Sequence, residues 1–527
     1  MGKAHFGMIG LGTMGRNFLL NIAQHGIAGV GYDLDEKKRA LLVEEGAGMN
    51  VAAATDIADL LAKLDSPRNI MLLVPAGPIV DSVIADLAPY LNTDDLIIDG
   101  GNSHFLDTER REKHLLEKGI GFMGIGVSGG EAGARHGASI MPGGRREYYD
   151  RIERTLQAVA AKVDGEPCVA YMGTGSAGHF VKMVHNGIEY GLMQILAETY
   201  DFMRRVLRMK YADMSETFAK WNSSKLNSFL VEVTAEVLGK QDSETGKPLV
   251  EMILDKAAQK GTGKWTSQVA MDLGVPIPTI DAAVAMRQIS AQKETRIQMS
   301  ERFGVVVPES QQESLSGRTV TSTPQYDQKA QLARDEVKTL ASEQQKQSGS
   351  GLSRVTHQKL SQSEEIRDVF SADLEVWLEK LKNALVASFI VTYSQGMSLL
   401  QVASKEKEFG VNLSEVAKIW RGGCIIRSAL LEDMRSAYAA EPDLPNLMLN
   451  QRFATALADH CPDMHEVVGK FAQSRVPSLA LSSAVAYFEA FRSSRLPANL
   501  IQAQRDFFGA HTYQRVDKEG VFHTEDW

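Results

Sequence analysis

Cysteine is scarce in this sequence, and long hydrophobic runs and an excess of positive charge are absent from it. The 527 residues include three cysteines, Cys168, Cys424 and Cys461, which lie far apart and form no C-x-x-C pair. A disulfide framework and a cysteine-ligated zinc site are therefore excluded, and we expect no metal. No apolar run approaches the roughly 18 residues that a membrane-spanning helix needs, so no membrane partner is expected.

The charge balance restricts the class of partner. Acidic residues outnumber basic ones, 66 to 57, and the formal net charge is −9. This balance argues against nucleic acid or an anionic membrane as the main partner, so an anionic substrate must be bound where basic residues gather locally. The N-terminal residues show no signal-peptide pattern. Together with the cysteine usage, this predicts a cytoplasmic protein.

The first 176 residues alternate short apolar runs with segments of helical period. The runs 6–10, 28–33, 69–74, 95–101 and 120–126 are typical of buried parallel strands. Apolar residues recur at helical spacing between them, as in 14–24, 79–91 and 106–118. This alternation predicts an α/β Rossmann-like domain over residues 1–176.

Long helical patterns dominate after residue 176, for example over 178–207 and 372–405. They predict a large all-α domain over residues 177–493. Within it, residues 304–368 are rich in Gln, Ser and Lys and indicate an exposed insertion. Residues 494–527 are polar and aromatic with few core-forming runs, and we interpret them as a C-terminal tail.

A glycine-rich turn at the N-terminus predicts dinucleotide binding. The G-x-G-x-x-G pattern comprises Gly10, Leu11, Gly12, Thr13, Met14 and Gly15, and it follows a predicted strand and opens a predicted helix. In this context the glycines allow a tight turn, approach of a pyrophosphate and close helix packing. A second strand ends in Asp33, 18 residues past Gly15, where an acid can bond an adenosine ribose diol.

One helix carries the strongest candidates for chemistry. Lys182, His185, Asn186 and Glu189 fall at i, i+3, i+4 and i+7, on one helix face. A solvated Lys–Glu stripe is the alternative interpretation. The helix opens the second domain, however, where a cleft beside the cofactor domain is expected. A desolvated lysine can act there as a base, and a nearby carboxyl can be kept protonated as an acid.

Three glycine-rich segments have the same character. GGNSH (100–104) and GVSGGEAGA (126–134) follow predicted strands, at the edge where doubly wound sheets bind ligands. QKGTGKW (259–265) combines glycines with two lysines and suits a phosphate, but it is not a Walker A loop.

With these segments in view, the sequence closely resembles the 6-phosphogluconate dehydrogenase family along nearly its whole length outside 304–368. The resemblance rests on DGGNS, GVSGGE, MPGG, GHFVKMVHNGIEYG, QKGTGKWT, WRGGCIIRS and LIQAQRD, in this order. It implies a decarboxylating oxidoreductase of the pentose phosphate pathway and of gluconate utilization. Such an enzyme converts 6-phospho-D-gluconate to ribulose 5-phosphate and CO2 with reduction of NAD or NADP. The resemblance also implies a helical domain of two similar halves and a homodimer in which each tail crosses to the other subunit.

The resemblance also implies roles for single residues. Lys182 matches the family's general base and Glu189 its general acid. The residues that match its substrate contacts are Asn102, Ser128, Gly129, Gly130, His185, Asn186, Tyr190, Lys260, Thr262 and Arg287, with Arg505 and His511 donated by the neighbouring subunit. Cofactor contacts are expected from the glycine turn (Gly10, Leu11, Gly12, Thr13, Met14, Gly15) and from Asp33, Val74 and Asn102.

The cofactor site departs from the family pattern. Where relatives read Asn-Arg-Thr after the second strand, this chain has Asp33-Leu34-Asp35, and Pro75 replaces a lysine. A carboxylate at Asp33 suits the ribose of NAD and repels the 2′-phosphate of NADP, so we expect NAD to be preferred. Lys37 and Lys38 are the counter-argument.

Two other interpretations are open on the sequence. A β-hydroxyacid dehydrogenase of the 3-hydroxyisobutyrate type shares the glycine turn and a lysine base, but it should lack the basic residues Lys260, Arg287 and Arg505. A catalytically silent dinucleotide-binding protein is a candidate from another class, although both Lys182 and Glu189 are present.

Overall fold

The protein consists of a sheet-based domain, a large helical domain and a C-terminal segment. The structure, a computed structural model, describes residues 2–303 and 355–527, with only the backbone over 355–372. The first domain has a seven-stranded sheet of order β3-β2-β1-β4-β5-β6-β7, which contains the 3-2-1-4-5-6 order of dinucleotide-binding folds. Its strands are β1 (Phe6–Ile9), β2 (Gly29–Tyr32), β3 (Val51–Ala53), β4 (Asn69–Leu72), β5 (Leu96–Asp99), β6 (Gly121–Ser128) and β7 (Ser139–Gly144).

Helices cover both faces of this sheet, and the strands are apolar and buried as parallel strands must be. The helices are α1 (Thr13–Gln24), α2 (Glu36–Glu45), α3 (Ile57–Lys63), α4 (Pro78–Leu87), α5 (Phe105–Leu116), α6 (Gly130–His136) and α7 (Arg146–Val159), followed by a short hairpin of β8 (Lys162–Val163) and β9 (Glu166–Pro167). The Rossmann-like fold predicted from the sequence is confirmed.

Two strands of the sheet, β3 and β7, are not predicted by the sequence pattern. β3 has only three residues, Val-Ala-Ala, too few to show a period. β7 reads Ser-Ile-Met-Pro-Gly-Gly, whose proline and glycines are typical of a turn, yet it pairs antiparallel with β6. The sheet is therefore mixed and not wholly parallel.

Helices are the regular elements of the second domain over the residues that the structure describes. Its helices are α8 (Ala177–Arg205), α9 (Tyr211–Trp221), α10 (Phe229–Gly239), α11 (Leu249–Met252), α12 (Thr262–Asp272), α13 (Pro278–Ala291), α14 (Lys293–Phe303), α15 (Val355–Glu406), α16 (Leu413–Trp420), α17 (Leu430–Ala440), α18 (Gln451–Gln473), α19 (Leu479–Arg492) and α20 (Ala498–Gly509).

The helical domain contains two halves of the same plan, packed along the long helices α8 and α15. In the first half α9 packs on α10 and α12 on α13; in the second, α16 packs on α17 and α18 on α19. The halves are joined by two backbone bonds, from Phe229 N–H to Arg427 O at 3.0 Å and from Ala429 N–H to Asn227 O at 2.9 Å. By length and composition the segment Asp373–Glu406 of α15 could cross a membrane, but 89% of its most apolar window is buried in this domain.

The structure covers the predicted insertion only in part and the predicted tail in full. The predicted insertion, 304–368, lies outside the described residues up to 354, and from Val355 onward the chain is already part of α15. In the predicted tail, the residues after α20 fold back onto that helix. The buried carboxylate of Asp506 accepts bonds from the amides of Thr512 and Thr524 and from the indole N–H of Trp527.

Candidate active site

The glycine turn lies between β1 and α1, at the carboxyl edge of the sheet. Gly10 has φ +94°, and a Cβ added there would lie 2.5 Å from Leu73 O; one added at Gly15 would lie 1.8 Å from Gly10 O. Both positions therefore require glycine. A Cβ added at Gly12, in contrast, would meet nothing within 4 Å among the described residues, so the turn is open on that side.

The turn fits the pyrophosphate of a dinucleotide. Gly12 is the N-cap of α1, so the first amides of the helix point toward the open side of the turn, and the first turn of α1 carries no acidic residue. Val74 follows β4 and Asn102 follows β5, at the same edge of the sheet. The residues expected to hold NAD or NADP thus border one crevice.

Asp33 lies at the end of β2 and is bonded to the glycine turn. Its Oδ2 accepts the amide of Leu11 at 2.8 Å, and its Oδ1 accepts the amide of Asp35 at 3.0 Å. Lys38 Nζ lies 3.4 Å from Oδ2, and Arg39 donates to the carbonyl oxygen of Asp33 at 2.7 Å. Lys38 was expected at this strand end from the sequence. Arg39 was not, although its guanidinium also bonds there.

The predicted helix face exists in α8 and is buried. Lys182 Nζ donates to Asn186 Oδ1 at 2.8 Å and lies 3.5 Å from His185 Nδ1. His185 Nε2 lies 3.3 Å from the Ser128 hydroxyl, and its Nδ1 lies 3.2 Å from Asn186 Oδ1 and 3.8 Å from Glu189 Oε2. The solvated-stripe alternative is wrong, because Lys182 is only 6% exposed.

Burial shifts the protonation of these groups in opposite directions. It lowers the pKa of the Lys182 ammonium from its ordinary 10.5, against the opposing effect of Glu189. It raises the pKa of the Glu189 carboxyl above 4.5, against Lys182 and Arg287. Burial, reinforced by Lys182, also holds the pKa of His185 well below 6.5. A neutral His185 with its proton on Nδ1 satisfies both Asn186 and the Ser128 hydroxyl.

The Ser128–Gly130 loop is supported by a distant segment of the helical domain. Gly129 has φ +112°, and a Cβ there would lie 2.5 Å from Gly423 O; Gly130 follows it and begins α6. The carbonyl oxygen of Gly423 also accepts the amide of Ser139 at 2.8 Å. Gly423 thus packs against the backbone of this loop, and the Ser128 hydroxyl of the same loop faces His185.

Some of the residues that are predicted to bind the substrate phosphate lie close together in the structure. The Arg287 guanidinium lies 3.5 Å from the centroid of the Tyr190 ring and donates to Ala258 O at 2.9 Å. α12 begins at Thr262 after an uncapped left-handed Gly261, so its first amides are available beside the exposed Lys260. Gly263 packs on the same tyrosine ring. The arrangement offers cations and amides to one dianion.

The structure does not bring Arg505 and His511 to the other predicted residues. Arg505 is exposed on α20 and bonds to Gln502 Oε1 at 3.0 Å, and the ring of His511 lies against Phe508. α20 itself buries one residue, Asp506.

Sequence reasoning missed Trp420, whose ring packs edge-on against His185 with centroids 5.5 Å apart. Its indole nitrogen is buried without a partner among the described residues. Trp420 belongs to WRGGCIIRS, one of the segments that carry the family resemblance. It lies more than 200 residues from His185 in the sequence, so the sequence gives no signal that it contacts α8. Over residues 2–303 and 355–527, no cluster of three His, Cys, Asp or Glu side chains suited to a metal is found.

Comparison with known proteins agrees with the fold. Residues 5–173 match the NAD binding domain of 6-phosphogluconate dehydrogenase, and residues 178–323 and 337–527 match its C-terminal domain. The NADP(+)-dependent, decarboxylating 6-phosphogluconate dehydrogenase of Bacillus subtilis (strain 168) is 43% identical over 525 residues, which cover 100% of this chain and 99% of the relative. A decarboxylating 6-phosphogluconate dehydrogenase of Saccharomyces cerevisiae is 43% identical and covers 96% of this chain and 92% of its own.

A solved structure extends this likeness to the whole fold. The 6-phosphogluconate dehydrogenase of Plasmodium falciparum, described in apo form and in complexes with NADP+ and 6-phosphogluconate, aligns with a TM-score of 0.84 and 37% identity over 99% of both chains. The 3-hydroxyisobutyrate type is therefore not the better interpretation. The chain belongs to the 6-phosphogluconate dehydrogenase family.

Proposed function

We propose that the protein oxidises and decarboxylates 6-phospho-D-gluconate to ribulose 5-phosphate and CO2, using NAD or NADP. The observation that carries the proposal is the buried face of α8, where Lys182 and Glu189 lie about two turns apart on either side of His185, with pKa values shifted in opposite directions by burial. This is the protonation pattern that a base and an acid need near neutral pH.

Lys182 is the general base of the proposed reaction. Burial lowers the pKa of its ammonium and so favours the neutral amine, which accepts the proton of the substrate 3-hydroxyl while Asn186 Oδ1 holds its position. The bound nicotinamide supplies the acceptor for the hydride from carbon 3. The ammonium that results at Lys182 stabilises the oxyanion that develops as CO2 leaves.

Glu189 is the general acid. Burial keeps its carboxyl protonated at a higher pH than usual, so it can donate a proton to carbon 1 of the enediol. Ser128 and Asn102 border the sugar acid from the sheet edge, and the cluster of Tyr190, Lys260, Thr262 and Arg287 binds the phosphate. The acidic chain thereby concentrates positive charge where the substrate is anionic.

Substitution of the base tests the proposal. We expect Lys182→Met to lower kcat with 6-phosphogluconate by at least about 100-fold and to leave the cofactor dissociation constant within about threefold, because the lysine takes part in proton transfer and not in cofactor binding. Lys220→Met, on the exposed side of α9, is the matched control and should turn over normally. Wild-type protein without turnover, or Lys182→Met with more than a few per cent of it, contradicts the proposal.

We propose further that NAD is preferred to NADP. The Asp33 carboxylate is held at the ribose end of the crevice by Leu11, and Leu34, where relatives carry arginine, is 87% exposed and uncharged. Two like charges about 4 Å apart cost about 4 kcal/mol at an effective dielectric near 20. Lys38 and Arg39 already bond to Asp33, which reduces what they can offer to a 2′-phosphate.

The ratio of kcat/KM for the two cofactors tests this preference. We expect the wild-type ratio to favour NAD and the double variant Asp33→Asn, Leu34→Arg to shift it toward NADP by about tenfold or more, since it exchanges repulsion for an ion pair. Glu36→Gln, which removes one negative charge from the first turn of α2, should leave the ratio within about threefold. A wild-type preference of tenfold or more for NADP would refute the proposal.

The tail supports a third proposal, a homodimer in which Arg505 and His511 complete the site of the other subunit. α20 exposes a row of large apolar side chains, each 60–70% exposed: Leu500, Ile501, Phe507 and Phe508. Such a surface is typical of a segment that packs on another chain. Arg505 can pair with a phosphate in bidentate fashion once α20 lies on the partner.

Complementation tests tail exchange. Inactive Lys182→Met and Arg505→Ala proteins, mixed and re-dimerised, should regain about a quarter of wild-type activity, because half of the dimers are mixed and each has one intact site. Mixed dimers without activity would show that the tail serves its own subunit. We also propose a division into residues 1–176, 177–493 and 494–527, a cytoplasmic location, and no nucleic-acid or membrane partner.

A further inference from the structure

Arg111 lies in the interior of the first domain, and its guanidinium is fully hydrogen-bonded. The residue lies on α5 and is 2% exposed. Nε and Nη2 bind Asp81 Oδ1 and Oδ2 at 2.9 and 3.0 Å, and Nη2 also donates to Gly77 O at 3.0 Å. Nη1 donates to Asp99 Oδ2 and to the Ser103 hydroxyl, both at 3.3 Å. All five N–H donors of the side chain are thus bonded.

These partners come from two neighbouring strand-to-helix connections of the sheet, β4 to α4 and β5 to α5. Gly77 is the N-cap of α4 and Asp81 lies in its first turn, after the segment that leads from β4 through Val74. Asp99 and Ser103 flank Asn102, which follows β5. Arg111 therefore joins the connection that contains Val74, which the proposed function assigns to the cofactor, to the connection that contains Asn102, which it assigns to both cofactor and substrate.

The second loop depends on Arg111 through Asp99. Asp99 Oδ1 accepts the amide of Gly101 at 3.0 Å, and its Oδ2 accepts the Ser103 hydroxyl at 2.6 Å. These bonds define the turn from which the exposed Asn102 projects. Without the guanidinium, Asp99 is a 1%-exposed carboxylate that has lost its neighbouring charge.

A stabilising role alone does not require arginine here. Buried ion pairs are often no more stabilising than apolar side chains of similar size, whereas they do fix the geometry of the groups they join. The planar fork of arginine bonds two carboxylates and a carbonyl in fixed directions, which the single ammonium of lysine cannot do.

We propose that Arg111 is a positioning residue for hydride transfer: it fixes the Asn102 loop relative to the Val74–Gly77 loop, so that carbon 3 of the sugar acid and the nicotinamide meet at the reactive distance. The inference rests on the proposed function. Its consequence is that loss of Arg111 affects the chemical step more than the binding of either ligand, because misplacement of about 1 Å can cost about 100-fold in rate.

The test compares Arg111→Lys with Arg110→Lys in the full-length protein. Arg110 is the matched control: it bonds the same Asp81 carboxylate from the exposed side, at 2.9 Å, and lies one position away on α5. We expect Arg111→Lys to lower kcat about 10- to 100-fold. The cofactor dissociation constant should stay within about threefold, and the primary isotope effect with 3-deuterated 6-phosphogluconate should increase. Arg110→Lys should match the wild type in all three measurements.

A double-mutant cycle distinguishes positioning from general stability. If Arg111 acts through Asn102, Arg111→Lys should cost far less in an Asn102→Ala background than in the wild type. Equal factors in both backgrounds, or a loss of kcat that follows the folded fraction measured by near-UV circular dichroism, would overturn the inference.

Ser103→Ala keeps the test decisive if Arg111→Lys does not fold, because it removes one bond to Asp99 and leaves the guanidinium in place. A kcat lowered several-fold and coupled to Asn102→Ala supports the inference, and an unchanged kcat overturns it. Wild-type protein that does not turn over 6-phosphogluconate overturns the proposed function and this inference with it. Turnover with Arg111→Lys equal to Arg110→Lys overturns this inference alone.

Discussion

Glu198 provides a quantitative test of how the two helical halves are joined. It lies on α8, more than four turns beyond Lys182, and is 3% exposed. Its Oε1 and Oε2 accept the amides of Ala480 and Leu481, each at 2.9 Å, at the start of α19. Gln395 on α15 does the same for the other half, since its Oε1 accepts the amide of Thr279 at 3.0 Å at the start of α13.

The carboxylate makes this junction sensitive to pH. Burial raises the pKa of Glu198 from 4.5 to about 7, against the amides of Ala480 and Leu481, which lower it. Between these two values the folded protein keeps a proton that the unfolded chain has released, so the free energy of unfolding falls as pH rises from 4.5 to about 7 and is level above that. At about 1.4 kcal/mol per pH unit, this one group accounts for about 3 kcal/mol.

Glu198→Gln removes the titration while keeping most of the shape. Its single carbonyl oxygen leaves one of the two amides without an acceptor, at about 1–3 kcal/mol, and this cost does not depend on pH. The stability of the wild type relative to Glu198→Gln should therefore decrease by about 3 kcal/mol between pH 5 and pH 8. In thermal unfolding this is a change of about 3 °C in the difference between their Tm values, since the unfolding entropy grows with chain length.

The reciprocal variant is the control. Gln395→Glu should introduce the same fall in stability with rising pH at the other junction, because it buries a carboxyl where the native chain has an amide. Tm is measured for all three proteins at pH 5, 6, 7 and 8. Parallel curves for wild type and Glu198→Gln would show that Glu198 is ionised throughout this range and would refute the reasoning.

Four further predictions concern the active site and the cofactor site. The kcat profile should fall at low pH as Lys182 becomes protonated and at high pH as Glu189 loses its proton, since burial has moved their pKa values down and up. Glu189→Gln should lower kcat about 100-fold or more and abolish the high-pH limb. Gly129→Ala, at φ +112° and facing Gly423 O, should raise KM for 6-phosphogluconate at least about tenfold with unchanged cofactor binding, and normal KM would contradict the role of the loop. Gly15→Ala should abolish cofactor binding in a calorimetric titration, because its Cβ would lie 1.8 Å from a carbonyl oxygen of the turn.

Several features could be predicted from the sequence because they depend on local spacing. The glycine turn follows from six consecutive residues between a strand and a helix, and five of the seven strands follow from short apolar runs. The face of Lys182, His185 and Glu189 follows from the period of a helix, which places i, i+3 and i+7 on one side whatever the surroundings. Motifs matched to a family then added roles that spacing alone does not give.

Other features were decided only by tertiary packing. The sequence does not show that Gly423 supports Gly129, that Trp420 packs on His185, or that Glu198 caps α19, because each pair is separated by more than 200 residues. The sequence suggested burial of Lys182 only because α8 opens the second domain. The packing of α8 against β6, β7 and α15 is what buries the lysine and lowers the pKa of its ammonium. The chain therefore determined which residues share a helix face or a turn, and only the folded structure determined which faces meet, since contact between distant segments depends on how all the elements pack together.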